Sequence, residues 1–248
     1  MISIKYFGIS AFELVTEAGI KILIDPCISS NSLSPIRIGD LSEIDLILVT
    51  HGAPDHMGDT IELQKRTGAT IISGPAVRVH AWNKGVPKNK TLALLWGDQI
   101  EIHGITVRAV ECRHVSFFQS TDGYLTGLPL SFIIIPEEHV RIYNAGDTAL
   151  FSDLKLIGTL YKPNIALIPI GGTPELTGGY SHLPPREAAL ATQWINPDYV
   201  IPTHYQPGTD ETARFQKHLQ LLTPSTQILI LHPGDKRVYN SQTHRFTS

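Results

Sequence analysis

Leu46-Ile-Leu-Val-Thr50-His51-Gly52-Ala53-Pro54-Asp55-His56-Met57-Gly58-Asp59 sets an apolar, strand-like run directly against a turn rich in metal-donor side chains. Leu46 to Thr50 reads as a buried β-strand, and Gly52 and Pro54 then supply a tight turn before a helical stretch. Neighbouring residues of a regular strand point to opposite faces, so Asp55 and His56 can aim at one ion only from such a turn. Imidazole nitrogen with carboxylate oxygen is the donor set of zinc, iron or manganese. The same residues also suit an ordinary task, Asp55 and His56 capping the helix and His51 sitting in a loop.

Working outward, other donors occupy equivalent places. Asp25 closes Lys21-Ile22-Leu23-Ile24, His114 follows a strand ending at Glu111, Asp147 lies just past Ile142 to Asn144, and His204 follows Val200-Ile201-Pro202-Thr203. Unrelated structural histidines have no reason to recur at strand ends, whereas a metal site along one edge of a sandwich requires it.

The remaining chain is consistent with that placement. Strand-like runs are expected at Ile2–Tyr6, Phe12–Thr16, Lys21–Asp25, Thr70–Ser73, Thr91–Leu95, Ile105–Glu111, Leu130–Ile135, Val140–Asn144, Ile165–Ile170, Tyr199–Pro202 and, as a final buried strand, Gln227–Leu231. Helical spacing is expected at Gly58–Arg66, Ala76–Trp82, Leu150–Leu160, Pro185–Trp194 and Thr209–Leu222. Strands mixed with helices point to a layered α/β protein. The 248 residues suit one large domain or two small ones. Only 17% are charged against 42% hydrophobic, which excludes a disordered chain. The net charge of −3 gives no reason to expect nucleic acid or a membrane as partner. No apolar run approaches the length of a membrane span and no secretion signal is evident, so a cytoplasmic location is expected. Two cysteines, Cys27 and Cys112, cannot build a disulfide framework and are expected reduced and buried.

The order Asp25, His51-x-x-x-Asp55-His56, His114, Gly146-Asp147-Thr148 and His204 resembles the metallo-β-lactamase fold superfamily of metal-dependent hydrolases, over nearly the whole chain. Phe7 to Phe12, Ile24-Asp25-Pro26, Gly146 to Phe151, Leu167 to Gly172 and Pro202 to Tyr205 look like its branch close to L-ascorbate 6-phosphate lactonase. This resemblance implies an α/β fold, a four-layer αβ/βα metallo-β-lactamase sandwich, built as one domain over residues 1–248. It implies zinc or manganese, one or two ions per chain, at the edge where the strand-end loops meet. His51 and His114 would hold a first metal, and Asp55, His56 and His204 a second. Asp147 would bridge the two, and Asp25 would orient a ligand from behind. The implied reaction is hydrolysis of an ester, lactone, amide or phosphodiester bond of a small polar substrate by a metal-activated water. Asp55 or Asp147 would steer the water or take its proton, and His182 would stabilise charge or protonate the leaving group.

Two positions depart from the family pattern. Ala53 stands where the turn His-x-His-x-Asp-His has its middle histidine, and Ile9 stands where relatives often have histidine. The first metal therefore loses a ligand: its site is empty, is completed by water, or is completed by another residue, with His182 the candidate. His182 lies in Ser181-His182-Leu183-Pro184-Pro185-Arg186-Glu187-Ala188, which is similar to a stretch of N-acylphosphatidylethanolamine-hydrolysing phospholipase D whose histidine lines the active site. Ala53 also motivates a rival reading, a degenerate relative that binds a ligand or partner without turnover. A diiron redox protein is disfavoured by the missing histidine and the lack of a flavin-binding segment. Substrate loops are expected at Ser29–Asp40, Val115–Pro129 and Gly171–Pro185, with Tyr124, Tyr180 and Arg186 suggesting a polar, anionic ligand. The sequence leaves a homo-oligomer open.

Overall fold

A computed structural model describes residues 1–120, 123–172 and 182–247. Among these, strands β1 (Ile2–Gly8), β2 (Ala11–Val15), β3 (Lys21–Ile24), β4 (Leu46–Val49), β5 (Thr70–Ser73) and β6 (Thr91–Ala93) form most of one sheet. β7 (Gln99–Ile102), β8 (Ile105–Glu111), β11 (Leu130–Glu137), β12 (Val140–Asn144), β13 (Ile165–Pro169), β14 (Tyr199–Thr203) and β15 (Gln227–Ile228) form the second. β9 (Ser116–Ser120) and β10 (Gly123–Gly127) pair as a separate hairpin, and β16 (Lys236–Asn240) and β17 (Arg245–Thr247) extend the first sheet beyond β1. The helices are α1 (Pro54–Met57), α2 (Thr60–Thr67), α3 (Pro75–Asn83), α4 (Leu154–Tyr161), α5 (Pro185–Ile195) and α6 (Glu211–Leu222).

The alternation of side chains along β4 explains the layering. Leu46 and Leu48 enter the core that the two sheets share, with Phe132 and Ile134 of β11 among their company. Ile47 and Val49 point the other way, into a cluster with Leu63 of α2 and Val77 and Ala81 of α3. All four are fully buried, as a strand covered on both faces must be. On the far side α4 and α6 pack against α5, and α5 against β13. The order is helices, sheet, sheet, helices.

Strand direction then gathers the loops. β3, β4 and β5 run parallel, as do β12, β13 and β14. The carboxyl ends of parallel strands open a crevice, the usual ligand position in such sheets.

Several elements differ from the sequence expectation. The helix expected from Gly58 starts at Thr60, because Gly58 has φ +38° and ends the single turn α1; a side chain there would meet the Cys27 backbone. The helix expected from Leu150 starts at Leu154. Gln227–Leu231 is a strand only at Gln227–Ile228, which is part-exposed as a sheet edge, and of the stretch only Leu231 is fully buried. Val115–Pro129 is largely the β9–β10 hairpin rather than a loop. β7, β16 and β17 also escaped the pattern: they are edge or next-to-edge strands with polar, partly exposed faces. Of the Gly171–Pro185 loop, residues 173–181 lie outside the described residues.

Leu48→Ala removes a fully buried side chain from the inter-sheet core. A loss of about 2–5 kcal/mol in unfolding free energy is expected by chemical denaturation.

Candidate metal centre

His51 follows β4 and is fully buried, and Pro54 at the first position of α1 starts the turn that brings Asp55 and His56 round. Asp25, just past β3, holds this turn from behind. It accepts the Thr50 backbone N–H at 2.8 Å through Oδ1 and the Thr50 hydroxyl at 2.8 Å through Oδ2. Its Oδ2 also lies 2.9 Å from His56 Nδ1. With Nδ1–H donating to that carboxylate, His56 is fixed in orientation and turns Nε2 toward the second sheet. Ser10 Oγ, 3.2 Å from the same Nδ1, adds a further contact from the loop after β1.

Asp147 comes to this point from the end of β12. Its Oδ2 lies 3.3 Å from His56 Nε2, 3.4 Å from His204 Nε2 and 3.6 Å from His182 Nδ1. His204 Nε2 is also 3.3 Å from Asp55 Oδ2. Asp55, His56, Asp147 and His204 each offer a donor atom within 4.8 Å of the others, and so do His51, His114 and Asp147. Either group could hold an ion, and Asp147 belongs to both.

The polar atoms here are unsatisfied. His51 Nε2, His182 Nε2 and Asp147 Oδ1 are buried without a hydrogen-bond partner, and His56 Nε2 and His204 Nε2, also buried, have only long contacts of 3.3–3.4 Å to the Asp147 and Asp55 carboxylates. Each such atom ordinarily costs about 1–3 kcal/mol, and their convergence fits a cation that takes lone pairs from several sides.

The charges are mutually adjusted. Burial opposes a charge on His56, but the carboxylates of Asp147 and Asp25 outweigh it and hold its pKa well above the imidazole range. Burial likewise opposes His204, which Asp147 and Asp55 raise. Burial pushes the Asp147 and Asp55 carboxyls up, yet the neighbouring histidines bring both well below the usual carboxylate range. His51 and His114 are lowered, chiefly by burial, and burial brings His182 down to about 4.

Every sequence-predicted site residue therefore meets at one place: His51, Asp55, His56, His114, Asp147, His182 and His204. His182 is buried and packs 4.3 Å, centroid to centroid, from the His204 ring, but it stands outside both donor groups. Gly171 and Gly172, after β13, make this possible. A side chain on Gly172 would strike the His182 carbonyl, and one on Gly171 the His204 carbonyl. Tyr205 is a packed aromatic whose hydroxyl donates to Leu231 O at 2.5 Å. Cys112 donates its thiol to the Asp147 carbonyl at 3.0 Å, and burial raises its pKa. Tyr180 lies outside the described residues. Sequence reasoning missed Thr50 and Ser10 as orienting groups, although both stand beside a strand end that it had marked. It also missed Glu211, a buried carboxylate in the wall of the cleft, which no motif signalled.

Residues 21–205 match the beta-lactamase superfamily domain. A UPF0173 metal-dependent hydrolase of Caldivirga maquilingensis is 39% identical over 236 residues, 94% of this chain and 96% of its own. Another, from Methanobrevibacter smithii, is 34% identical over 98% of this chain and 99% of its own. The structure of Igni18, described as a novel metallo hydrolase from Ignicoccus hospitalis, matches with a TM-score of 0.79 at 30% identity, covering 95% of this chain and 97% of that one. The chain belongs to this family, the UPF0173 metal-dependent hydrolases of the beta-lactamase superfamily. For a metal-dependent hydrolase the intact His/Asp groups speak against the rival reading of a relative that binds without turnover, despite Ala53. The chain's own four-layer αβ/βα arrangement is a metallo-β-lactamase sandwich.

In this hydrolase Asp25→Asn keeps the shape of the buried side chain but weakens its hold on the His56 Nδ1–H. Metal affinity, measured by competition with a chromophoric chelator, is expected to fall about 10–100-fold.

Proposed function

We propose that the enzyme hydrolyses an ester, lactone, amide or phosphodiester bond of a small molecule with zinc or manganese as its resident metal. Asp55, His56, Asp147 and His204 would hold one ion, and His51, His114 and Asp147 a second, with Asp147 shared. The observation that carries this reading is the set of buried, partnerless donor atoms that converge around Asp147. A divalent ion held there supplies Lewis acidity toward a carbonyl or phosphoryl oxygen and, if zinc, brings the pKa of a water down to about 7.

The chain's own residues divide the remaining work. Asp55 is only part-buried and borders the cleft, so its carboxylate can orient the attacking water and take its proton. His182 reaches the same cleft and can hydrogen-bond the charge that develops on the substrate or leaving group. Asp25 and Thr50 keep the His56 ring from turning. Residue 53 contributes no donor, so the ion on His51 and His114 has fewer protein ligands than its neighbour and is expected to bind more weakly.

Asp147→Ala and His204→Ala are expected to lose both bound metal, read by elemental analysis of purified protein, and turnover. A variant that keeps its activity would remove the site assignment. Ala53→His is expected to raise metal content toward about two ions per chain, by supplying the third histidine of the family turn; no gain would mean that the ion on His51 and His114 is already complete.

A further inference from the structure

Glu211 is an acidic side chain that the metal chemistry above leaves unused. It is the first residue of α6, only 3% exposed, and it lines the same cavity of about 470 Å³ as Asp55, His114, Asp147, His182 and His204. It stands in neither donor group. Its Oε2 accepts the Gln206 N–H at 2.8 Å and the Thr209 hydroxyl at 3.1 Å. These bonds pin the loop after His204 to the start of α6, and an acid in the first turn suits the helix dipole. They account for Oε2 alone.

Oε1 has no hydrogen-bond donor among the described residues. It borders Gly171, itself a wall of the cavity: a Cβ on that glycine would stand 3.4 Å from it. A carboxylate offers about four acceptor positions over its two oxygens and donates none. Roughly half of that capacity is unspent in a buried place, where an incompletely bonded charge is costly. No cation of the chain covers it. Among the described residues no Lys or Arg lines the cavity, and residues 173–181, Thr-Pro-Glu-Leu-Thr-Gly-Gly-Tyr-Ser, contain none. Arg186, which the sequence offered for an anionic ligand, is not among the walls. The carboxylates placed to hold ions are others, Asp55 and Asp147. What satisfies Oε1 is therefore a donor, N–H or O–H, brought into the cavity. Water can do this, and a ligand that displaces the water must replace its bond or lose it, which makes the position discriminating.

Resting on the hydrolytic reading above, we propose that Glu211 is a specificity-determining residue: with the scissile group of the substrate at the metal centre, Glu211 Oε1 accepts a hydrogen bond from an ammonium or hydroxyl group elsewhere on the same molecule. The ions attract the electron-rich end of the substrate, and Glu211 reads the donor end. A molecule without that donor leaves the carboxylate desolvated and unbonded, the loss on which such sites discriminate. Glu211→Gln separates this task from the anchoring of the loop. The Gln206 N–H and the Thr209 hydroxyl both donate, so the amide oxygen keeps them and the amide nitrogen takes the place of Oε1. An acceptor in the cavity then becomes a donor.

Full-length protein loaded with zinc or manganese is titrated calorimetrically with β-alanine, γ-aminobutyrate, δ-aminovalerate and ε-aminocaproate, with the ω-hydroxy acids of the same lengths, and with propionate, butyrate, valerate and caproate. The carboxylate is the metal-binding end, and the chain lengths scan the span to Glu211. Cleavage of the methyl esters of the same acids is followed in parallel by proton release. At least one amino or hydroxy acid is expected to bind about 10–100-fold more tightly than the unsubstituted acid of its length, and Glu211→Gln to bring that ratio down to about one. The amino and hydroxy arms tell which donor is read. A ratio near one at every length in the unaltered protein, or a preference that survives Glu211→Gln, overturns the proposal. So does a Glu211→Gln protein that loses its ions by elemental analysis, because Glu211 would then act only by holding the loop after His204. Esters cleaved without any donor preference keep the hydrolytic reading and overturn the role of Glu211. A preference erased by Glu211→Gln while no ester is cleaved supports that role and counts against carboxylic ester hydrolysis instead.

Discussion

The Asp147 carboxylate, with imidazole nitrogens of His56, His182 and His204 about it and its own Oδ1 unpaired, is what the surrounding structure is arranged to hold. Without a cation this is a costly neighbourhood: several buried polar atoms lack partners, and two histidines keep their charge only because carboxylates stand next to them. A divalent ion takes the place of those protons and gives the free lone pairs a partner. The arrangement is therefore much better satisfied loaded than empty, and metal binding should contribute to the stability of both sheet edges at once. Asp25 is the part that makes the arrangement definite. By holding Thr50 and His56 together it ties the end of β3 to the end of β4 and leaves His56 only one direction to face.

The backbone carries strain at the same place. Ile9, Asp25 and His204 all have positive φ, at 56°, 44° and 56°. That conformation is unusual for any residue with a side chain and most of all for β-branched isoleucine. Such a residue costs about 1–3 kcal/mol and persists only where its surroundings fix it. Here the fixing groups are visible. The Ile9 carbonyl accepts the His204 backbone N–H at 2.7 Å and the Tyr6 hydroxyl at 3.0 Å, so the end of β1 is clamped to the end of β14. The clamp joins the two sheets at the metal edge and sets where the His204 ring starts. Gly171 and Gly172 complete it from the other side, since only residues without a side chain let the chain after β13 pass the carbonyls of His204 and His182.

Much of this was legible in the sequence because two strong signals coincide. Buried parallel strands such as Leu46–Val49 and Ile165–Pro169 are continuous apolar runs, and donors placed right after them mark a common edge whatever the exact strand order. What escaped has a physical reason in each case. Strands β7, β16 and β17 lie at or next to sheet edges, where one face meets water and the hydrophobic period fades. The β9–β10 hairpin carries Tyr124 and Phe117 outside the main sheets, so it read as a loop. Thr50 and Ser10 act through hydrogen bonds to Asp25 and His56, distant in sequence, and such bonds leave no local pattern; Glu211 bonds only nearby groups of Gln206 and Thr209, and its place in the cleft wall comes from the folded chain. Gly171-Gly172 was marked as a loop feature, but its need for glycine comes from the approach of His204, past the end of β14, and of His182, which only the folded chain reveals.

The two departures from the family pattern both face the cleft. Ala53 and Ile9, where the superfamily resemblance would place histidine, both line the cavity beside the metal centre. Each exchange removes a polar ring that could hold an ion or a hydrogen bond and leaves an apolar surface in its place. The positive φ of Ile9, fixed by its carbonyl's bonds to His204 and Tyr6, keeps this side chain at the cleft wall. The donor group on Asp55, His56, Asp147 and His204 does not involve either position and keeps a complete set. Ala53 thus adds no donor beside His51, His114 and Asp147, and Ile9 gives the wall of the same cavity apolar surface.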